Sequence, residues 1–221
     1  QFDPMLNPPT PPGGFDPFLV KAAYNIVKHG MPALKNALVS GQYEFDKGLF
    51  FGGRGPTATQ RILADNLGRW VNGAENVVHV DFHTGMGKWG TYVLAVDWPS
   101  EDPKTAWLKQ HFGEDRVQAL DPGGVLYEIR GVLGTWCQSI VPEANYCCML
   151  AEFGTRNVLE VITALREENR ATHWGADETA VKRAKKRLKE AFAPASVEWR
   201  TSVVRDGVQI VQQAIEATLS T

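Results

Sequence analysis

The order in which strand-like and helical segments follow each other is the feature that most limits the folds open to this chain. Residues 76–83 (NVVHVDFH) form a predicted strand, the turn TGMGKWG leads into a second (TYVLAVD), and YCCMLAEF supplies a third whose end is placed at Glu152. Segments of helical periodicity lie between and after these strands. Strands interleaved with helices predict an α/β layer architecture with a largely buried sheet.

Helices are predicted where apolar residues recur every three to four positions. One runs from about Asp16 to His29, a short second one ends near Gly41, and Thr57 can cap a third. A further helix is expected over about 102–112. The last third of the chain is expected to be helical because of two such repeats, Val158, Val161, Ile162 and Leu165 followed by Val204, Val208, Val211 and Ile215.

The 221 residues, of which 43% are hydrophobic, are expected to form a single domain. Residues 1–17 are a predicted extended segment, because their prolines and glycines oppose regular structure. Residues 18–155 are assigned to the α/β core and residues 156–221 to a helical C-terminal part. Residues 41–56, rich in glycine and aromatic side chains, are predicted to be a shaped loop.

The charge balance argues against two classes of partner. A formal net charge of -2 and a pI near 6.2 give no basic footprint for nucleic acid or an anionic membrane. The longest apolar runs are far shorter than the ~20 residues that cross a bilayer. The basic run at 182–190 (KRAKKRLKE) lies in a helical pattern and is predicted to be a solvated helix face. We therefore expect no nucleic acid and no membrane as partners.

Cysteine usage favours free thiols. Cys137, Cys147 and Cys148 are odd in number and two are adjacent, which suits neither a disulfide framework nor a CxxC metal knuckle. Buried free thiols slightly favour the cytoplasm over the periplasm. A signal removed before Gln1 would reverse that preference, so the compartment is left open.

One predicted strand presents three potential metal ligands on a single face. Because side chains alternate along a strand, His79, Asp81 and His83 point to the same side. Imidazole and carboxylate are usual zinc ligands, although a strand this short can supply only two of them to one ion. His83 is placed at the strand end, where α/β sheets gather ligands. The alternative is a polar, water-facing edge strand without metal.

Glu152 is the one carboxylate in the apolar strand YCCMLAEF. An acid flanked by apolar residues is partly desolvated, which raises its pKa toward that of a general base. The alternative is a structural glutamate, capping a helix or paired with Arg156.

Three blocks, GQYEFDKGLFFGGRGP, VDFHTGMGKWG and AEFGT, occur in this order between about Gly41 and Thr155. Together they resemble a bacterial branch of the zinc carboxypeptidase (carboxypeptidase A-like) superfamily. The resemblance implies an α/β fold with a mixed, mostly parallel sheet flanked by helices. It also implies a zinc-dependent hydrolase that cleaves a peptide or related amide bond. By resemblance His83 matches the later histidine that ligates the single zinc ion, and Glu152 matches the general base.

The superfamily takes its first two zinc ligands from an early His-x-x-Glu motif. Here only His111 with Glu114 fits that spacing, and this pair follows His83 instead of preceding it. We therefore expect the chain to be incomplete at its N-terminus, with the remaining ligands upstream of Gln1. Asp81 is expected to orient the His83 ring.

Substrate contacts are expected from three further side chains, Arg54 in the glycine-rich loop and Lys88 with Trp89 in the turn after His83. Surface roles without substrate contact are the alternative for all three.

Two rival functions remain open. One is a catalytically inactive binding protein that keeps the carboxypeptidase-like fold. The other is a metal-free hydrolase that uses Cys137 or Ser139 with a histidine, although no G-x-S-x-G elbow is present.

Overall fold

A computed structural model of the chain describes residues 3–13, 16–30, 41–119, 131–175 and 177–219. In chain order the elements are α1 (Asp3–Leu6), α2 (Phe18–His29), α3 (Ala58–Val71), β1 (Asn76–Met86), β2 (Tyr92–Val96), α4 (Pro103–Phe112), β3 (Val117–Ala119), α5 (Leu133–Ile140), β4 (Asn145–Arg156), α6 (Val158–His173), α7 (Glu178–Phe192) and α8 (Val197–Leu219). They fall into two compact units. The first comprises Gln1–Arg54 and Arg156–Pro194, and the second Gly55–Thr155 and Ala195–Thr221.

The helices after residue 155 are therefore shared between the units. Helices α6 and α7 belong to the first unit and α8 to the second. The sequence-based division at residues 17 and 155 follows the order of the chain, whereas both units are built from two separate stretches of it. The single domain stays a prediction.

The first unit is held by a small apolar cluster and by two buried arginines. Its cluster consists of Met5, Leu6, Phe18, Ala22 and Ile162. Arg166 and Arg170 of α6 are 4% and 7% exposed, and both donate to Asp16 Oδ2, at 3.1 and 2.7 Å. Arg170 also donates to the carbonyl oxygens of Thr10 (2.9 Å) and Pro11 (2.7 Å).

These arginines explain how the proline-rich segment is anchored. Proline lacks an N–H donor, so the segment cannot pair as a strand, and its carbonyl groups are bonded by side chains instead. The prediction of an entirely extended segment is wrong for α1, which forms one helical turn. Pro4 is tolerated there because the first turn of a helix has no intrahelical use for its N–H.

Replacing Arg170 with methionine is expected to lower the free energy of unfolding by about 3 kcal/mol, because the change leaves Asp16 and two carbonyl groups without their main donor. Urea unfolding followed by circular dichroism measures the effect. Lys182→Met is the control, since Lys182 forms an exposed pair with Glu178 and should cost less than about 0.5 kcal/mol. Equal losses in both variants would contradict a structural role for the buried arginine.

The second unit contains a four-stranded sheet of order β1-β4-β2-β3. Strands β2 and β3 are parallel, and β2 and β4 are antiparallel. Strands β1 and β4 run in the same direction, since Asn145 Nδ2 donates to Asn76 Oδ1 (3.0 Å) where both begin and Thr155 Oγ1 donates to the Gly85 carbonyl near their ends. The sheet is therefore mixed and mostly parallel, and the predicted α/β fold class is confirmed.

Helices cover both faces of this sheet. On one face, alternate residues of β4 from Cys147 to Phe153 join a core with Leu108 and Phe112 of α4 and Ile210 of α8. On the other face a second cluster consists of Leu67, Cys137, Val141 and Tyr146, contributed by α3, α5 and the beginning of β4. The candidate site residues lie on this second face, beyond the second cluster.

Both site-bearing strands extend past their predicted ends. Strand β1 continues from His83 to Met86, and β4 continues from Glu152 to Arg156. The turn predicted at residues 84–90 therefore begins later, at Gly87. A Cβ atom on Gly87 would lie 3.1 Å from the Gly154 Cα, so glycine at this position lets the two strands approach closely enough to stay paired.

Most predicted helices are confirmed with shifted ends. Helix α3 begins at a capping box formed by Thr57 and Gln60, and α4 begins after the cap Asp102. Strand β3 and helix α5, which lie between α4 and β4 in the chain, were not predicted. The short helix expected to end near Gly41 lies outside the described residues, and residues 42 and 51 form an isolated bridge in the predicted loop.

The apolar repeat of α8 is not the face that the helix buries. Its members Val204, Val208, Val211 and Ile215 are 44% to 65% exposed. The helix instead buries Trp199, Asp206, Ile210 and Ala217. The repeat predicted the helix correctly, but α8 is long enough to carry a second apolar face, and the face against the sheet is the one with Trp199.

The basic helix α7 is solvated, as predicted. Lys185 and Arg187 are largely exposed and pair with Glu168 and Glu167 of α6. Among the described residues, no helix combines the length and apolar character needed to cross a membrane.

Candidate active site

Strand pairing brings the predicted site residues together. Side chains at alternate positions of β1 and β4 share one face of the sheet, and this face carries Asp81, His83 and Glu152. Because the two strands are parallel neighbours, His83 and Glu152 reach similar heights along the sheet. They are close enough for the histidine to influence the titration of the glutamate.

His83 is oriented by Asp81. The imidazole Nε2 lies 3.0 Å from Asp81 Oδ2, and the two side chains are 44% and 26% exposed. A carboxylate bonded to one ring nitrogen fixes the tautomer and the ring orientation, and it makes the other nitrogen a better electron donor. The pair therefore presents His83 Nδ1 as a potential metal ligand.

Glu152 is half-buried on its face of β4, opposite the face that carries Ala151 and Phe153. Burial raises its pKa from 4.5 to about 7, and the charge of His83 opposes this increase. A carboxyl group with a pKa near 7 can both take up and release a proton at neutral pH. This is the titration expected of a general base.

His79, the third member of the predicted ligand face, is engaged elsewhere. Its Nδ1 lies 2.8 Å from the Tyr146 hydroxyl, and the two rings meet edge to face at 5.9 Å. Burial lowers the pKa of His79, while Asp81 raises it. Across the described ranges, no group of three or more His, Cys, Asp or Glu side chains is arranged to hold a metal ion. His79 is therefore a half-buried partner of Tyr146 in this structure.

The three predicted substrate contacts belong to different units. Arg54 belongs to the first unit, where it lies 3.7 Å from Asp46 and over the Phe51 ring. Lys88 and Trp89 lie in the turn between β1 and β2, and the Trp89 ring centroid is 6.3 Å from that of Trp199. A substrate role for each of them stays a prediction.

Two other arrangements considered from the sequence, the His111–Glu114 pair as zinc ligands and Ser139 as a nucleophile, are not supported by the contacts of these side chains. His111 Nδ1 is bonded to the Trp107 carbonyl at 2.8 Å, and Glu114 is paired with Lys109 at 2.9 Å. Ser139 Oγ donates to the Trp136 carbonyl at 2.6 Å and is not held by a histidine.

The cysteines are free thiols, as expected from the sequence. Cys137 is fully buried and burial raises its pKa, while burial raises the pKa of Cys148 to about 12. A thiol with a raised pKa is a poor nucleophile near neutral pH.

A cavity beside His83 was missed by the sequence analysis. It has a volume of about 260 Å³ and is lined on one side by Asp97 and Trp98, which follow β2 directly. Ala95 of β2 pairs with Leu150 of β4, so the end of β2 lies beside the middle of β4. The position of Asp97 depends on the antiparallel register of β2 and β4, and neither composition nor periodicity reveals that register.

The raised pKa of Glu152 predicts a pH-dependent stability in metal-free protein. The folded state binds this proton more tightly than the unfolded state, so stability falls as the pH rises from about 4.5 to about 7. Glu152→Gln removes this loss and should be more stable than the parent by about 2 to 3 kcal/mol at pH 8, and nearly equal at pH 4. Urea unfolding in a chelator at several pH values measures the difference, with the exposed Glu143→Gln as control. Parallel pH profiles for parent and Glu152→Gln would contradict the shift.

Fold and site together define the class: an α/β protein whose mixed sheet presents an oriented histidine near a half-buried glutamate with a raised pKa. Residues 1–206 match a family model described as "Protein of unknown function (DUF2817)", and the chain belongs to this family. No match was found among curated proteins or among solved structures.

Proposed function

We propose that this protein is a zinc-dependent hydrolase of the carboxypeptidase-like type and that it cleaves a peptide or related amide bond. The observation that supports this most is the juxtaposition of the Asp81–His83 pair with Glu152, whose pKa is raised to about 7. An oriented imidazole and a nearby general base are two of the parts that metal-assisted amide hydrolysis requires.

The chemistry of the described side chains fits one zinc ligand. His83 would bind the ion through Nδ1, because Nε2 faces Asp81 at 3.0 Å. The proposal takes the remaining ligands from outside the described residues. When bound, zinc supplies polarisation of the scissile carbonyl group and acidification of the attacking water.

Glu152 performs the proton transfers in this proposal. As a carboxylate it accepts a proton from the attacking water, and as a carboxylic acid it donates that proton to the departing amine. A pKa near 7 makes both states accessible at neutral pH. The His83 side chain is 44% exposed, so a substrate can approach the imidazole from solvent.

The proposal is tested by assaying the protein against a panel of short peptides and N-acyl amino acids. Hydrolysis that is lost with a zinc chelator and restored by added zinc supports the proposal. Hydrolysis that is insensitive to the chelator would contradict the metal role. Peptide binding without any hydrolysis would favour the catalytically inactive binding protein.

A further inference from the structure

The cavity beside His83 has the size of a substrate side chain. Its volume of about 260 Å³ is below the ~300–1,000 Å³ of pockets that enclose whole small-molecule ligands. Its walls are largely apolar, with contributions from Ala95, Trp98, Val132, Leu133 and Leu150. Such walls suit the methylene groups of one side chain.

The cavity is also correctly placed to receive a side chain next to a cleaved bond. His83 lines it directly. Leu150 lines it as well, and Glu152 lies two residues further along the same face of β4, roughly 7 Å away at the usual rise per residue. A substrate whose reacting carbonyl lies between His83 and Glu152 can therefore extend an adjacent side chain into this space.

Two acidic side chains stand among the described residues that line the cavity. Asp81 and Asp97 line it, and among the described lining residues there is no lysine or arginine. Asp81 is engaged with His83, whereas Asp97 accepts one hydrogen bond, from Thr135 Oγ1 at 2.7 Å. A carboxylate offers about four acceptor positions, so Asp97 keeps the capacity to bind a cation.

Lys104, which contacts Trp98, does not neutralise these acids. Lys104 Nζ lies 5.2 Å from the centre of the Trp98 ring, but it donates to the Tyr146 carbonyl at 3.1 Å and does not line the cavity. Among the described residues, Asp97 therefore lines the cavity as an acidic group whose hydrogen-bond partner is the Thr135 hydroxyl.

The geometry points to a specificity-determining role: the cavity binds a substrate side chain that is apolar along its length and ends in an ammonium or guanidinium group, and Asp97 selects that cationic end. The assignment of this side chain to the residue next to the cleaved bond rests on the proposed function. An anionic side chain would be repelled, and a neutral one of the same length would lose only the contact with Asp97.

Equilibrium binding tests this inference without requiring hydrolysis. The probes are the N-acetyl methylamides of lysine, norleucine and glutamate, titrated into the protein and into Asp97→Asn and followed by NMR. The parent is expected to bind the lysine probe about fivefold to tenfold more tightly than the norleucine probe, and the glutamate probe most weakly. In Asp97→Asn the lysine and norleucine probes should bind equally.

Asp65→Asn is the matched control, because Asp65 is an exposed acid on α3 and its replacement changes the net charge by the same amount. It should keep the preference for lysine. Equal binding of lysine and norleucine by the parent, an unchanged preference in Asp97→Asn, or no detectable binding of the lysine probe would each overturn the inference. A retained lysine preference in a protein that hydrolyses no amide would contradict the proposed function alone.

Discussion

Glu152→Gln is expected to reduce amide hydrolysis by about 10²- to 10⁴-fold while the zinc content of the protein stays the same. Glutamine has nearly the same size as glutamate and its amide can still form hydrogen bonds, but the amide cannot accept a proton from water. The change therefore removes the proposed base without removing a ligand. Steady-state kcat/KM together with elemental analysis of the same sample measures both effects.

The pH dependence provides an internal check on this variant. With a pKa raised to about 7 by burial, Glu152 becomes the active carboxylate as the pH rises, so kcat/KM of the parent should increase through the neutral range. A bound cation would favour the carboxylate and move this increase to lower pH. Glu143→Gln, an exposed change of the same type, should leave rate and profile unaltered. Full activity in Glu152→Gln would remove Glu152 from the chemistry.

His83→Ala is expected to lose both zinc and activity. Removing a direct ligand should weaken zinc binding by more than the ~10- to 100-fold typical for loss of an orienting partner, and hydrolysis should fall with it. Asp81→Asn provides the graded comparison, since it keeps the ligand and changes only the group at Nε2, 3.0 Å away. It should weaken zinc binding within that ~10- to 100-fold range.

The control for His83 is His173→Ala, which removes an exposed histidine at the end of α6. It should leave zinc content and hydrolysis unchanged. Zinc affinity in His83→Ala equal to that of the parent would show that His83 is not a ligand, whatever happens to the activity.

The sequence was sufficient to predict the elements that depend on local chemistry. Thr57 caps α3 as predicted, and α4 begins directly after Asp102, close to the start expected for this helix. The side-by-side placement of Asp81 and His83 follows from strand alternation alone. These features need no information about distant parts of the chain, which is why composition and spacing predicted them.

Features that depend on long-range pairing were not predicted. The strand ends at Met86 and Arg156 are set by contacts between β1 and β4, including the close approach of Gly87 to Gly154. The cavity at Asp97 depends on the register between β2 and β4. The exposed apolar repeat of α8 shows the same limit, because periodicity identifies a helix but does not decide which of two apolar faces meets the sheet.

The central claim is that His83 and Glu152 form one zinc-dependent site, and anomalous diffraction at the zinc edge tests it most directly. Crystals of the protein, grown with zinc, would be measured above and below the edge. We predict a single strong anomalous peak about 2.0 to 2.1 Å from His83 Nδ1, on the side of the sheet that carries Glu152. A protein without a peak near His83, or with zinc bound only at other residues, would contradict the account.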